Sequence, residues 1–257
     1  SQDTIPQDIV FNADGTKMFI LGEGNGAVYA YNLSTGFDVS TASFINNFSV
    51  ASQENSPQGL AFNNDGTKMF ITGGGGRDVN EYTLASAFNT ATASFVDSFD
   101  ISSQDTLPNG LVFNSDGTKM FVTGNHGNDI NEYTLSTGFD VSSASFVGNI
   151  SVSSQDTTPG GIKFNNDGTK LFMVGVAGAD INEYTLTTPF SLVNISGEHD
   201  GDVLLDDTDA DSDTLTVTQI AVTGESNSSV SSSSSYNSSG TSKTGTVSYT
   251  HLTLPTR

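Results

Sequence analysis

The sequence has no cysteine and no tryptophan, and its 257 residues include only 8 lysines and arginines against 29 aspartates and glutamates. Without cysteine there is neither a disulfide framework nor a thiolate metal site, and the compartment stays open. A net charge of −21 repels phosphate backbones and anionic membrane surfaces. Nucleic acid is therefore excluded as an expected partner, and divalent cations are favoured. No apolar run approaches the roughly 20 residues of a membrane helix, so direct membrane insertion is not expected. No secretory leader is visible, and Ser1 stands inside a repeat, which reads as a fragment or a processed form. The three histidines are scattered at 126, 199 and 251. They form no Ser-His-Asp or His-rich set, and no paired-carboxylate arrangement is legible either. Gly, Ser, Thr, Asn and Asp dominate instead, together with 17 Phe and 7 Tyr. That mixture suits short strands joined by tight turns and argues against long helices.

The organisation is set by an internal repeat. Asp14, Asp65, Asp116 and Asp167 are spaced by 51 residues, as are Pro6, Pro57, Pro108 and Pro159, and Phe37, Phe88, Phe139 and Phe190. Copies 1–51, 52–102 and 103–153 are complete, and the fourth keeps register over 154–190. In the second copy "QGLAF" (58–62), "TKMFIT" (67–72), "VNEYTL" (79–84) and "SFVDSFDIS" (94–102) read as four short strands separated by Gly- and Asn-rich turns. Four strands in about 50 residues match a propeller blade. A two-helix repeat is excluded by the glycines and the lack of a 3.6-residue period. Phe62, Phe70, Tyr82, Phe88, Phe95 and Phe99 recur in the other copies and are expected in the core between blades.

The stretch "TKMFVTGNHGNDINEYTLST" (118–137) resembles the bacterial YVTN-type propeller repeat of the wider WD40-like group, and the resemblance covers 1–190. Members of that family include surface and secreted proteins, while the fold alone implies no activity. The repeated "DGT" is expected to close a hairpin, because Asp caps the local backbone and Gly accepts a positive φ. Lys17, Lys68, Lys119 and Lys170 follow it and are expected to offset the adjacent carboxylate. A metal reading of this loop needs several converging oxygens, whereas each copy offers one carboxylate on a different blade.

The opposite end of the blades carries the loops "GEGNGA" (22–27), "GGGGRD" (73–78), "GNHGND" (124–129) and "GVAGAD" (175–180). Arg77, Asp78, His126, Asp129 and Asp180 lie there and are the candidate ligand-binding residues, with Asp3, Glu54, Asp105 and Asp156 nearby. Two readings stand: the acids brace the loops by satisfying backbone groups, or they form a ring that holds a ligand or cation. "GEGNGA" precedes no helix and has no Lys, so it is weak as a phosphate loop. Lactonase-type propellers hold a catalytic metal with acids and Asn in the central channel. The first-strand segments here, "DIVF", "GLAF", "GLVF" and "GIKF", contain one acid, Asp8, without counterparts. The expectation is that the chain is not an enzyme.

Composition shifts after Phe190. "DVLLDDTDADSDTLTV" resembles the opening of a VCBS or cadherin-like repeat over roughly 195–246, with Asp206 and Ser212 as departures from the usual phrase. The resemblance implies a truncated immunoglobulin-like β-sandwich of large secreted or cell-surface proteins, often adhesins, many of which bind calcium. Asp207, Asp209, Asp211 and Asp213 project to one side if extended and could gather oxygens around Ca2+; the alternative is a solvated acidic linker. The spacing is not that of an EF-hand. "VSYTHLTLPTR" (247–257) departs from the pattern and resembles a translated sequencing adapter.

The resulting expectation is an all-β chain: four blades of about 51 residues (1–190), the last incomplete, then a partial sandwich segment (191–246). The function expected first is a non-catalytic, adhesin-like display module outside the cell, with calcium and glycans or another surface protein as partners. The alternatives are a small-ligand or sugar-binding propeller with hydrolase or lactonase activity, and a structural spacer.

Overall fold

Asp-Gly closes the first hairpin of each blade. In the second, Asp65 accepts hydrogen bonds from the Thr67 backbone N–H at 2.9 Å and the Thr67 hydroxyl at 2.6 Å, and Asn63 accepts from the Lys68 N–H at 2.9 Å. Gly66 stands at φ 70°, and a Cβ there would lie 2.2 Å from the Phe88 ring, so the turn has room for glycine alone. Asp14, Asp116 and Asp167 repeat these bonds.

The computed structural model describes residues 2–192 and the dipeptides 219–220 and 228–229. The first three blades are four-stranded antiparallel sheets. They comprise β1 (Pro6–Phe11), β2 (Lys17–Gly22), β3 (Ala27–Leu33) and β4 (Ala42–Ser49); β5 (Pro57–Phe62), β6 (Lys68–Gly73), β7 (Asp78–Leu84) and β8 (Ala93–Asp100); and β9 (Pro108–Phe113), β10 (Lys119–Gly124), β11 (Asp129–Leu135) and β12 (Ala144–Ser151). The fourth contains β13 (Pro159–Phe164), β14 (Lys170–Gly175) and β15 (Asp180–Thr185). Helix is confined, among the described residues, to one short 3-10 turn before the last strand of each complete blade: Val39–Thr41, Thr90–Thr92 and Val141–Ser143. β16 (Gln219–Ile220) and β17 (Ser228–Ser229) pair antiparallel, in a unit that begins after Val193.

First strands β1, β5, β9 and β13 neighbour one another in succession, which puts them innermost and makes the array a four-blade β-propeller. Alternation along each strand sorts side chains to two blade faces. Phe19, Leu21, Val28 and Ala30 on the trailing face of blade one pack with Leu60, Met69, Ile71, Tyr82 and Leu84 on the leading face of blade two. Phe70 and Val79 pack likewise with Leu111, Met120, Val122, Tyr133 and Leu135 of blade three. Ring contacts repeat at the same positions: Phe19 with Phe62 at 4.6 Å, Phe70 with Phe113 at 4.6 Å, and Phe121 with Phe164 at 4.7 Å.

Two expectations change here. Phe95 lies on the outermost strand and is exposed, leaning edge-on to Tyr82 rather than filling the space between blades. The cause is a β-bulge: Tyr82 pairs with Phe95 while Glu81 pairs with Asp97, so Val96 is an extra residue that breaks the alternation. The lysines also do not neutralise the hairpin aspartates. Lys68 and Lys119 cross to the neighbouring strand and pair with Glu81 at 2.6 Å and Glu132 at 2.7 Å. Lys170 pairs with Glu183, and Lys17 donates to Asn32. The hairpin carboxylates are already occupied by threonine, and the buried glutamates have greater need of a counter-charge.

These glutamates also link blades. Glu81 accepts the Val141 N–H at 3.0 Å, and Glu132 accepts the Leu192 N–H at 2.7 Å, so each carboxylate holds its own lysine and the next blade's backbone at once.

Candidate functional site

The loop acids follow the bracing reading. Glu54 accepts from the backbone N–H groups of Ser56 at 2.7 Å and of Gly75 and Gly76 at 2.9 Å. Asp105 accepts from Leu107 at 2.5 Å and Gly127 at 2.6 Å, and Asp156 from Thr158 and Gly178 at 2.5 Å. Asp3 does the same for Ile5 at 2.8 Å and Asn25 at 3.0 Å. Each carboxylate thus sits in a nest of amides and ties an inter-blade loop to the tight turn of its own blade. The Gly178 N–H holds the Asp156 carboxyl below its ordinary range.

Arg77, Asp78, His126, Asp129 and Asp180 all lie at that same end, in or beside the turns joining second to third strands. Each is engaged locally. Arg77 occupies the left-handed corner of its turn at φ 61°, where Gly26, Asn128 and Ala179 stand in the other blades, and donates its backbone N–H to Gly73 at 3.1 Å. His126 bonds Thr106 through Nδ1. Asp78 accepts from the Asn80 amide at 2.6 Å, Asp129 from Asn131 at 2.7 Å and Asn149 at 2.5 Å, and Asp180 from Asn182 at 2.9 Å. Burial pushes the Asp78 and Asp129 carboxyls up. No hydrogen bond or ion pair joins Arg77 or His126 to any of the three aspartates. Among the described residues no three His, Asp or Glu side chains gather as a metal site. Asp207, Asp209, Asp211 and Asp213, the calcium candidates, lie outside the described residues, as does all of the sandwich segment but 191–192, 219–220 and 228–229.

The inner strands carry a second arrangement. Of the 24 residues in β1, β5, β9 and β13 (four strands of 6), two are charged: Asp8 and Lys163. Asp8 replaces the glycine found at 59, 110 and 161, and Lys163 replaces the small apolar residue found at 10, 61 and 112. Those glycines matter. A Cβ at Gly59 would lie 2.5 Å from the Asn109 carbonyl, and one at Gly110 would lie 2.8 Å from the Gly160 carbonyl, so glycine lets adjacent inner strands approach. At the first interface Asp8 fills that space, accepting the Leu60 N–H of the neighbouring strand at 2.9 Å and the Ile9 N–H at 2.7 Å. Burial pushes the Asp8 carboxyl above its ordinary value, and the positive charge of Lys163 is the leading opposing influence. Asp8 was legible as an unmatched acid. Lys163 was missed, although a charge at a repeat position otherwise apolar was signal enough.

This has a titration consequence. A carboxyl whose folded pKa is raised favours the native state as pH falls through the interval between unfolded and folded values, and its contribution is lost as pH rises through the folded value. Carbon-13 NMR of the Asp8 carboxyl should show a midpoint above that of an ordinary aspartate, moving higher still in Lys163→Met. An ordinary midpoint, or one indifferent to Lys163, would contradict the placement.

No family model matches the chain, and no curated protein matches it. Solved structures do. A proposed 6-phosphogluconolactonase of Bacteroides uniformis superposes with a TM-score of 0.53 at 14% identity, covering 74% of this chain and 55% of its own. One from Bacteroides fragilis gives 0.52 at 14%, covering 70% and 50%. A chain of a nidogen/laminin complex gives 0.51 at 14%, covering 74% and 63%. At this identity the likeness is one of fold, a β-propeller, and the chain spans about half the length of the two lactonase-type structures. The expectation that the chain is not an enzyme is thereby corrected. Propellers of this shape include proteins described as lactonases, so scarce histidine and a single inner-strand acid do not exclude hydrolysis.

Proposed function

We propose that the propeller binds a small, uncharged, hydroxyl-rich ligand at its central axis and hydrolyses a sugar-derived lactone there. The observation that carries this reading is the Asp8–Lys163 pair, which supplies the inner strands' only two charges, of opposite sign and electrostatically coupled. The fold shared with lactonase-type propellers supports it. In the proposed reaction Asp8, more basic than an ordinary carboxylate, takes a proton from water as the oxygen adds to the lactone carbonyl. Lys163 stabilises the negative oxygen that forms. The ring C–O bond then breaks, and the proton passes to the leaving alkoxide to give the hydroxy acid. The net charge of −21 favours a neutral lactone over a phosphorylated one.

The test is acid release from glucono-δ-lactone in a pH-stat with the full chain. Asp8→Asn and Lys163→Met should each lower the enzyme-dependent rate by about 10²-fold. A rate equal to buffer alone, or one unchanged in both variants, would sink the proposal.

A further inference from the structure

Two carboxylates are buried together where the second and third blades meet. Asp105, in the inter-blade loop, and Asp129, at the start of β11, are each 4% exposed. Asp129, Asn131 and Tyr133 alternate along β11, so their side chains share the face that packs on blade two. Both acids lie against one glycine: the Gly127 N–H donates to Asp105 at 2.6 Å, and a Cβ on Gly127 would lie 2.7 Å from Asp129 Oδ2. Among the described residues no ion pair reaches either acid. Burial, and less strongly the Asp105 charge, raise the Asp129 carboxyl. Two like charges out of water with no counter-charge are costly to keep.

Two further polar atoms beside these acids have no partner. The Tyr133 hydroxyl and Asn131 Oδ1 are buried and unbonded, in residues 0% and 1% exposed. The Asn131 amide is placed by its Nδ2, which donates to Asp129 at 2.7 Å, so Oδ1 sits beside that carboxylate. Burial, then the charges of Asp129 and Asp105, push the Tyr133 hydroxyl up, so it stands in the field of both acids. An orphaned hydroxyl or amide oxygen costs stability unless something bonds it. Blades one and two lack the full set. Blade one has Ala27 where Asp129 stands, and its Tyr29 hydroxyl donates to Asp3 at 3.2 Å. Blade two has Glu54 for Asp105, engaged by three backbone amides, and its Tyr82 hydroxyl has Gln53 at 3.4 Å.

We infer that Asp105, Asp129, Asn131 Oδ1 and the Tyr133 hydroxyl hold one divalent cation of the calcium type between blades two and three. Capping the loop amides uses one lone pair of a carboxylate oxygen and leaves the others for the ion. The donors are all oxygen, which suits a hard cation and not zinc. One double positive charge cancels the two carboxylates. Magnesium, which keeps several waters, suits a sealed seam less well than calcium. The ion ties β11 to the loop that arrives from blade two. The inference is independent of the reaction proposed for Asp8 and Lys163.

Terbium is the probe, because it replaces calcium and emits when a nearby tyrosine is excited, and the chain has no tryptophan to compete. Titration of the chelator-stripped full chain should give saturable terbium emission that added calcium displaces. Asp129→Asn, which keeps the shape of its side chain, should weaken calcium binding about tenfold by calorimetry. Tyr133→Phe, which keeps its ring against Phe99 and Phe146, should weaken it in the same direction. Circular dichroism establishes that each variant is folded. Calcium should raise the melting temperature of the wild type more than that of Asp129→Asn. An absence of saturable emission would overturn the inference. So would emission and calcium affinity unchanged in both variants, which would place the ion elsewhere, as in the acidic run 207–213. So would a melting temperature that responds to Asp129→Asn but not to calcium, which would mean that a proton or a water fills the seam.

Discussion

Phe70→Ala is expected to lower the unfolding free energy by about 3–5 kcal/mol, the range for truncating a buried phenylalanine. Phe70 is fully buried and contacts Phe113 at 4.6 Å and Phe139 at 6.2 Å, both in the next blade. The alanine leaves a hole between two rigid sheets, and sheets held by their own hydrogen bonds cannot collapse into it. Phe172 occupies the same repeat position in blade four and is only half-buried, so Phe172→Ala should cost roughly 1–2 kcal/mol. Urea titrations followed by circular dichroism read both values. Equal losses at the two positions would contradict the packing described, because the difference depends wholly on a following blade.

Glu132→Ala is the second large effect, at about 3 kcal/mol. The substitution leaves Lys119 beside a buried space and strips the Leu192 N–H of its acceptor. Glu183→Ala removes the corresponding ion pair where both side chains are nearly half exposed, and should change stability by no more than about 0.5 kcal/mol. The pair of measurements separates a charge held between blades from the same charge facing water. In Lys119→Met/Glu132→Leu the stranded charge disappears along with its partner, so part of the loss should be recovered, while the unpaired Leu192 N–H keeps the remainder. A double variant no better than Glu132→Ala would mean that the lysine carries none of the cost.

How much of this was legible depended on the distance between cause and effect along the chain. The Asp-Gly hairpins, the strands at 57–62, 68–73 and 78–84 and the tight turns each draw on residues within about one hairpin of one another, so local chemistry was enough. The bulge at Val96 escaped detection because an alternating strand and a bulged one have nearly the same composition, and only the pairing with Tyr82 and Glu81 distinguishes them. The inter-blade loop acids admitted two readings, since a carboxylate that caps amides and one that binds a cation are the same residue until the amides are placed around it.

The sequence by itself determined the blade: a spacing of 51, four strands, and a hairpin whose Asp, Gly and Thr satisfy one another within a few residues. Tertiary structure decided what each repeat position does. Glu81 bonds a backbone group 60 residues away, and Asp8 one 52 residues away. The same residue type at the same register is core in one blade and surface in another, as Ile130 and Ile181 show. The physical reason is that a blade satisfies its backbone alone but buries its faces only against neighbours, so the repeat encodes the blade while the count and order of blades set which faces meet protein and which meet water.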